Sequence, residues 1–398
     1  MKIGIFTDVY FPSINGVTVS IKQLKDALEA MGHVVYIVAP NVSSRYRLIY
    51  NNQELYLPKV KSNIYSYEDY TMANRFIPKA TKIIKSWDLD IIHVHTEFSV
   101  GMLGRRFAHN HKIPLVYTYH TNYEMQLDDI FKQMSIVIKL VYRPWLKYMS
   151  SKYIHEVIVP TIKAKRYLKE KIKCKTHINV IPTGIDINKF NKDNLDISLI
   201  NKLKKKYRIR DNDLVLLYVG RLGSEKNIEE LITGLALLPD KHIKLCLVGF
   251  GPYKKELVTI AKKLGVERRL IFTGKVAWEK TPAFYQLGDV LVSASRYETQ
   301  GLTIIEGLAA SLPVVCVRDQ AFRKMVKPGV NGYLYKDLED FTEIILKLKH
   351  NKILYQRIKK LTVTSISNYS NMIYAKRVIR VYKNAYLKSK YRIKKQLS

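Results

Sequence analysis

The sequence predicts an α/β fold of two doubly wound, Rossmann-like parallel-sheet domains facing a central cleft. Short apolar runs alternate with longer helix-like segments from the first residue onward, as in chains of parallel βα units. The alternation breaks around Ile181-Pro182-Thr183-Gly184-Ile185-Asp186 into a polar, Asn/Lys-rich passage reaching about Asp213, and then restarts with the same rhythm. A domain boundary belongs there. The length of 398 residues with 47% hydrophobic content is enough for two buried cores. The expected organisation is a first domain over residues 1–185, a second over 186–371, and a basic terminal helix over 372–398.

Strand candidates in the first half are residues 2–7, 34–39, 91–95, 114–119, 154–159 and 178–181. The loop Tyr10-Phe11-Pro12-Ser13-Ile14-Asn15-Gly16 has tight-turn residues, and Gly16 would let a backbone amide approach a ligand. Val17 to Met31 reads as a helix, with Val19, Leu24, Leu28 and Met31 near helical spacing and Gly32 as its C-cap. No G-x-G-x-x-G follows the first strand, so a nicotinamide or flavin enzyme lacks its main signature. In the second half the candidates are residues 214–219, 243–248, 269–273, 289–293, 313–317 and 332–335.

Composition narrows the class further. Cys174, Cys246 and Cys316 are widely spaced without a CxxC pair, which supports neither a disulfide scaffold nor a zinc site. Met1 to Asp8 reads as a first strand rather than a signal peptide, and no apolar run approaches the roughly 18 residues of a spanning helix. The charge is the outlier: 67 Lys and Arg against 34 Asp and Glu give +33, and no acidic residue follows Glu343. That balance points to an anionic partner, an acidic membrane surface or nucleic acid.

Chemistry concentrates at strand ends of the second half. Val219-Gly220-Arg221 through Lys226-Asn227 is a strand, a glycine-containing loop and a helix start, and Arg221 with Lys226 can neutralise a diphosphate. Val248-Gly249-Phe250-Gly251 and Gly274-Lys275-Val276 also follow strands, where backbone groups can approach a ligand or hold a nucleobase edge. Glu298-Thr299-Gln300-Gly301-Leu302 through Glu306 places two carboxylates around a turn that enters a helix. Two solvated glutamates are the plainer account of such a pair taken alone. At the carboxyl edge of a parallel sheet, however, a polyol can lie between them against the amides of Gln300, Gly301 and Leu302.

In this order the motifs resemble the GT-B glycosyltransferases of glycosyltransferase family 4, retaining enzymes that use nucleotide sugars, over nearly the whole chain. The resemblance implies that Arg221 and Lys226 bind the donor diphosphate, Glu306 the ribose hydroxyls and Glu298 the transferred hexose. Asn15-Gly16 departs from the paired glycines of many members. His120, at the end of the strand Pro114 to Tyr119, matches a histidine that contacts the donor sugar in the family. Thr121-Asn122-Tyr123-Glu124 looks like the H-T-x-Y-E segment of its diacylglycerol glucosyltransferases, which puts Tyr123 and Glu124 on the acceptor side. A metal reading of His93, His95, His109 and His111 is not favoured, because His93 and His95 are expected to point to opposite faces of one strand. The implied reaction needs no protein-held metal, although Mg2+ stimulation is compatible with it. Retention leaves open a covalent carboxylate intermediate or same-face attack, and the resemblance favours the second.

Residues 131–152 and 75–87 mix apolar, aromatic and basic side chains. Lys139, Arg143, Trp145 and Lys147 in the first, and Lys79 and Lys82 in the second, would suit a membrane interface. The alternative for both is a helix packed on the sheet with solvated lysines. The terminal segment adds nine cations from Lys376 to Lys395, and the resemblance implies that this helix crosses back to the first domain, on the same side. The expected activity is glucose transfer from UDP-glucose to 1,2-diacylglycerol by a peripheral protein on the cytoplasmic face of the membrane. Other acceptors remain open: an already glucosylated lipid, a phosphoinositide-like lipid or a polysaccharide. A nucleic-acid-binding protein is the alternative from another class, and it lacks a recognisable nucleic-acid motif.

Overall fold

The computed structural model describes residues 1–43, 47–60, 71–120, 135–296 and 298–397. The chain forms two compact units, Met1–Gly184 together with Asn371–Ser398, and Ile185–Ser370.

In the first unit, strands β1 (Lys2–Phe6), β2 (Val34–Asn41), β3 (Ile49–Asn51), β4 (Glu54–Pro58), β5 (Ile91–Val94), β6 (Leu115–Thr118), β7 (Glu156–Val159) and β8 (Ile178–Val180) build one sheet. Its order is β3-β4-β2-β1-β5-β6-β7-β8, parallel except where β3 meets β4. The inner strands bury both faces, which is why they read as unbroken apolar runs. The edge pair β3 and β4 has no counterpart among the expected strands: β3 is three exposed residues, too short to show a strand pattern. Likewise the expected strand 154–159 begins only at Glu156.

The helix Gly16–Ala30 starts where the Asn15 side chain accepts from the amides of Val17 and Thr18, at 3.0 and 3.1 Å. The terminal helix Asn371–Leu397 belongs to this unit and lays Tyr374, Val378, Val381, Tyr382 and Ala385 into a core shared with Val17, Ile21 and Leu24. Fully burying a side chain of the Val, Leu or Phe class is worth roughly 1.5–3 kcal/mol. This stripe therefore helps to hold the helix down. The helix Ser135–Ser151 buries Tyr142, Leu146 and Met149 while Leu140 and Val141 stay 69% and 71% exposed.

The second unit is a six-stranded, fully parallel sheet of β9 (Leu214–Val219), β10 (Ile243–Val248), β11 (Leu270–Gly274), β12 (Val290–Ser293), β13 (Val314–Val317) and β14 (Gly332–Tyr335). The order β11-β10-β9-β12-β13-β14 means that the chain winds outward from β9 to one side and then, from β12, to the other. The point of reversal lies between β9 and β12, and ligands of such sheets bind beyond the strand carboxyl ends at that crevice.

Candidate functional site

In the second unit the reversal point gathers the loops that the sequence singles out. β9 runs into Gly220 and Arg221, and β12 runs through Ser295 to Glu298. Gly301, at φ 81°, caps the helix Leu302–Ala309 in a left-handed conformation that L side chains adopt at a cost of about 1–2 kcal/mol. The first amides of a helix have no intrahelical acceptor, so this start presents donors where an anion or a hydroxyl can use them. Gly249 has φ 144°, and a Cβ there would lie 1.9 Å from the Gly220 carbonyl oxygen. The loops after β9 and β10 can touch only because that position lacks a side chain.

The charged groups are paired. Lys226 Nζ donates to Glu298 Oε1 at 2.6 Å, and Arg221 donates to Glu225 at 2.6 Å. Glu306, one turn into its helix and buried, accepts from the Tyr285 hydroxyl at 2.6 Å. Burial pushes its carboxyl above the usual range, and the bond from Tyr285 opposes that only in part. Lys275 is exposed and lies 5.1 Å over the Phe250 ring, with Val276 packed against the core and Gly249 bridging to Gly274. Thus Arg221, Lys226, Glu298, Gln300, Gly301, Leu302 and Glu306 lie on loops and a helix start at one sheet edge, with Gly249, Lys275 and Val276 on the neighbouring strand ends.

Sequence reasoning missed several partners at this edge. The Arg296 guanidinium forks onto Glu230 at 2.6 and 3.2 Å, and the Tyr335 hydroxyl donates to the same carboxylate at 2.8 Å, which fixes the chain just before Glu298. Ser295 has a buried hydroxyl with no partner among the described residues. Each pairing joins residues far apart in the chain, and only Ser295, directly after a strand, carried a local signal.

The first unit has its own reversal point, between β1 and β5. Asp8, just past β1, accepts from Thr96 and Ser99 at 2.6 Å and from the Val100 amide at 2.7 Å, so its buried carboxylate closes the start of the helix Ser99–Asn110. Glu97 is buried against the Tyr117 hydroxyl, and burial pushes its carboxyl up to about 8. Neither Asp8 nor Glu97 was singled out from the sequence, although both follow apolar strands.

His120, two residues beyond β6, joins a histidine chain. Its Nε2 is 2.9 Å from His95 Nδ1, His95 Nε2 is 3.1 Å from His93 Nδ1, and His93 also meets the Tyr382 hydroxyl at 2.8 Å and Thr118 at 2.7 Å. The expectation that His93 and His95 point to opposite faces is therefore wrong. Residues two apart on a strand share a face, and their rings are 4.0 Å apart. Burial drives both imidazoles well below their ordinary range and takes His120 down to about 3, so all three are neutral at pH 7. Among the described residues no group of three or more His, Cys, Asp and Glu is arranged to hold a metal ion.

Gly16 is the first residue of its helix. Lys79, Lys82 and Lys147 are exposed, and Lys139 and Arg143 half-buried. Trp145 stacks on Phe98 with ring centroids 5.7 Å apart, and Trp87 on Tyr36 at 4.6 Å, so these indoles are turned to the protein. Among the described residues of these two stretches, the exposed large apolar side chains are instead Phe76, Leu140, Val141 and Tyr148. Tyr123 and Glu124, with residues 131–134, lie outside the described residues. No described helix is long and apolar enough to cross a membrane.

Comparison with known proteins adds names to this geometry. Residues 14–189 match the family model described as Glycosyltransferase Family 4, and residues 200–362 that described as Glycosyl transferases group 1. The chain is 36% identical over 353 residues to the alpha-monoglucosyldiacylglycerol synthase of Streptococcus pneumoniae, covering 87% of this chain and 78% of that one. It is 29% identical over 392 residues to the protein of the same name from Acholeplasma laidlawii, covering 96% of each. Among solved structures, Anabaena HepE in complex with UDP and glucose superposes with a TM-score of 0.74 at 18% identity, over 96% of this chain and 99% of that one. A sucrose-phosphate synthase from Thermosynechococcus elongatus does so with a TM-score of 0.75 at 17% identity, over 97% and 99%.

Proposed function

We propose, for a chain that belongs to the GT-B glycosyltransferases of family 4 and is a hexosyltransferase, that it moves glucose from UDP-glucose to 1,2-diacylglycerol with retention, giving α-monoglucosyldiacylglycerol. The observation that carries the donor half is the convergence of Arg221, Lys226, Glu298 and Glu306 on the reversal point of one parallel sheet. The acceptor half is supported by the two relatives named for that lipid product.

In this reading the leaving diphosphate is the centre of the chemistry. Negative charge builds on it as the anomeric bond breaks, and Arg221, Lys226 and the helix start at Leu302 are preorganised to receive that charge. Glu298 gives up part of its bond to Lys226 as the diphosphate arrives and orients the hexose hydroxyls. Glu306, already desolvated, accepts from the ribose. His120 contacts the transferred hexose. No side chain is assigned as a covalent nucleophile, so the acceptor hydroxyl attacks from the face that the diphosphate leaves, and the leaving phosphate takes its proton. Arg221 and Lys226 supply the positive charge, so no protein-held metal is required, and assays with and without Mg2+ test that point.

Attachment to the membrane is peripheral in this proposal. Lys79, Lys82 and Lys147 are exposed in the first unit, as are Phe76, Leu140, Val141 and Tyr148, a composition suited to an acidic lipid interface. At ~1 kcal/mol per basic residue near an acidic leaflet, a handful of such cations suffices to hold the protein there. Co-sedimentation with vesicles should rise with anionic lipid and fall with salt; indifference to both refutes the attachment. The function is tested by incubating the protein with radiolabelled nucleotide sugars and mixed vesicles and separating the lipid products. A labelled glycolipid that requires diacylglycerol is expected. Label confined to water-soluble oligosaccharide, or steep salt-dependent retention on nucleic acid without transfer, overturns the proposal.

A further inference from the structure

We propose that His95 is a positioning residue for His120, and that the Tyr382 hydroxyl on the terminal helix anchors the pair through His93. His120 lies beyond the last residue of β6, so no strand ladder fixes its ring. Its side chain instead makes the 2.9 Å bond to His95 and a near-parallel stack on that ring, with centroids 5.1 Å apart and planes 20° apart. His95 and His93 are fully buried, and both ring nitrogens of each are engaged.

A neutral imidazole has one donor and one acceptor nitrogen, so fixing the proton at one link fixes it at every link. The chain can run from His120 Nε2–H to His95, from His95 to His93 and from His93 to Thr118, leaving His120 Nδ1 as an acceptor. It can also run in reverse, from Thr118 to His93, His95 and His120, leaving His120 Nδ1 as a donor. Tyr382 and His95 meet the same nitrogen, His93 Nδ1: in the first direction its one lone pair is shared by His95 Nε2–H and the buried Tyr382 hydroxyl, and in the second its N–H is shared between His95 Nε2 and the Tyr382 oxygen, whose own proton then has no acceptor among the described residues. Tyr382 thus biases which role His120 Nδ1 can offer to a sugar hydroxyl. The three rings are neutral at pH 7, as such a directional chain requires. The terminal helix is in this way coupled to the hydrogen bonding of His120, beyond its part in packing.

The catalytic part of this inference rests on the proposed contact of His120 with the transferred sugar, whereas the coupling does not, and the experiment separates them. Ring nitrogens of the full-length protein labelled with 15N-histidine are observed for the wild type and for Tyr382→Phe, His95→Gln and His95→Leu. The His120 nitrogen shifts should move in Tyr382→Phe and in His95→Leu, and His95→Gln, whose amide can donate and accept, should restore them in part. Transfer should follow: kcat falls about tenfold in His95→Leu and less in Tyr382→Phe and His95→Gln, with little change in the donor KM. Unchanged His120 shifts in both Tyr382→Phe and His95→Leu overturn the coupling. Moved shifts with unchanged kcat overturn the positioning role. If His120→Ala transfers at the wild-type rate, the assignment of His120 in the proposed function fails, while the nitrogen shifts still report on the chain.

Discussion

Lys226 and Glu298 meet at 2.6 Å across 72 residues of chain, each about a quarter exposed, at the reversal point of the second sheet. In the proposed reaction the donor diphosphate competes for this ammonium, and the two residues then act on different parts of the donor. Lys226→Ala should weaken binding of UDP and lower kcat together, whereas Glu298→Ala should mainly lower kcat. Because they are in contact, their effects should not add: a coupling of about 0.5–3 kcal/mol is expected from a double-mutant cycle on kcat/KM. Strictly additive losses would show that the pair is idle during turnover.

Glu306 predicts a pH dependence of donor binding. Burial holds its carboxyl above the usual range, and the Tyr285 hydroxyl offsets this only in part. Ribose hydroxyls that donate to the carboxylate favour its charged form, so UDP binding should release a proton. Affinity then rises with pH up to the pKa of the free protein and levels off above it. Titration calorimetry in two buffers of different ionisation enthalpy measures that proton. Glu306→Gln should abolish the release, and Glu306→Ala should weaken binding much more than it lowers kcat. Tyr285→Phe removes the bond that favours the charged form and should move the rising limb to higher pH.

The gathering of Arg221, Lys226, Glu298 and Glu306 at one sheet edge was legible because its signals are local. A glycine, a cation or a carboxylate after an apolar run marks the carboxyl edge of a parallel sheet, and Arg221, Lys226, Glu298 and Glu306 all lie in the loop or helix that follows β9 or β12. Their partners were not legible. Tyr285 lies on a short helix with no special pattern, and Glu230, Arg296 and Tyr335 are brought together only by the winding of the sheet. The histidine chain was within reach, since two-residue spacing puts His93 and His95 on one face, but its continuation to Tyr382 depends on where the terminal helix packs. The exposed strand β3, at three residues, was too short to show an alternation.

The terminal helix is pinned by more than its apolar stripe. Lys388 reaches the buried Glu156 at 2.7 Å, and His177 and Asn179 each bond the other carboxylate oxygen at 2.8 Å. Burial alone would raise this carboxyl, but the bonds from Lys388, His177 and Asn179 outweigh it and hold it below its ordinary range. A depressed folded pKa means stabilisation that is present above the unfolded value and lost as pH falls through the folded one. Lys388→Met should cost roughly 1–3 kcal/mol at pH 7. It should also raise the pH at which the Glu156 contribution disappears. Urea unfolding at a series of pH values measures both effects, and a variant whose loss does not change with pH would show that Lys388 acts through packing alone.

His93 and His95 should leave a signature of the same sign at higher pH. Both are buried and neutral when folded, and burial is the largest cause of their lowered pKa, with neighbouring histidines adding to it. Below about pH 6.5 the unfolded chain protonates each of them while the folded chain does not, so stability rises with pH in that range and the contribution is flat above it. One such histidine contributes a slope of about 1.4 kcal/mol per pH unit near pH 5. Other buried groups titrate in the same window, Glu97 in the opposite sense because its folded pKa is raised to about 8. The clean quantity is therefore a difference. Subtracting the unfolding free energies of His95→Gln from those of the wild type between pH 5 and 6 should return a slope of about one proton, roughly 1.4 kcal/mol per pH unit. If the two proteins instead lose stability in parallel across that interval, His95 takes up a proton in the folded state, and the neutral directional chain from Tyr382 to His120 does not hold at those pH values.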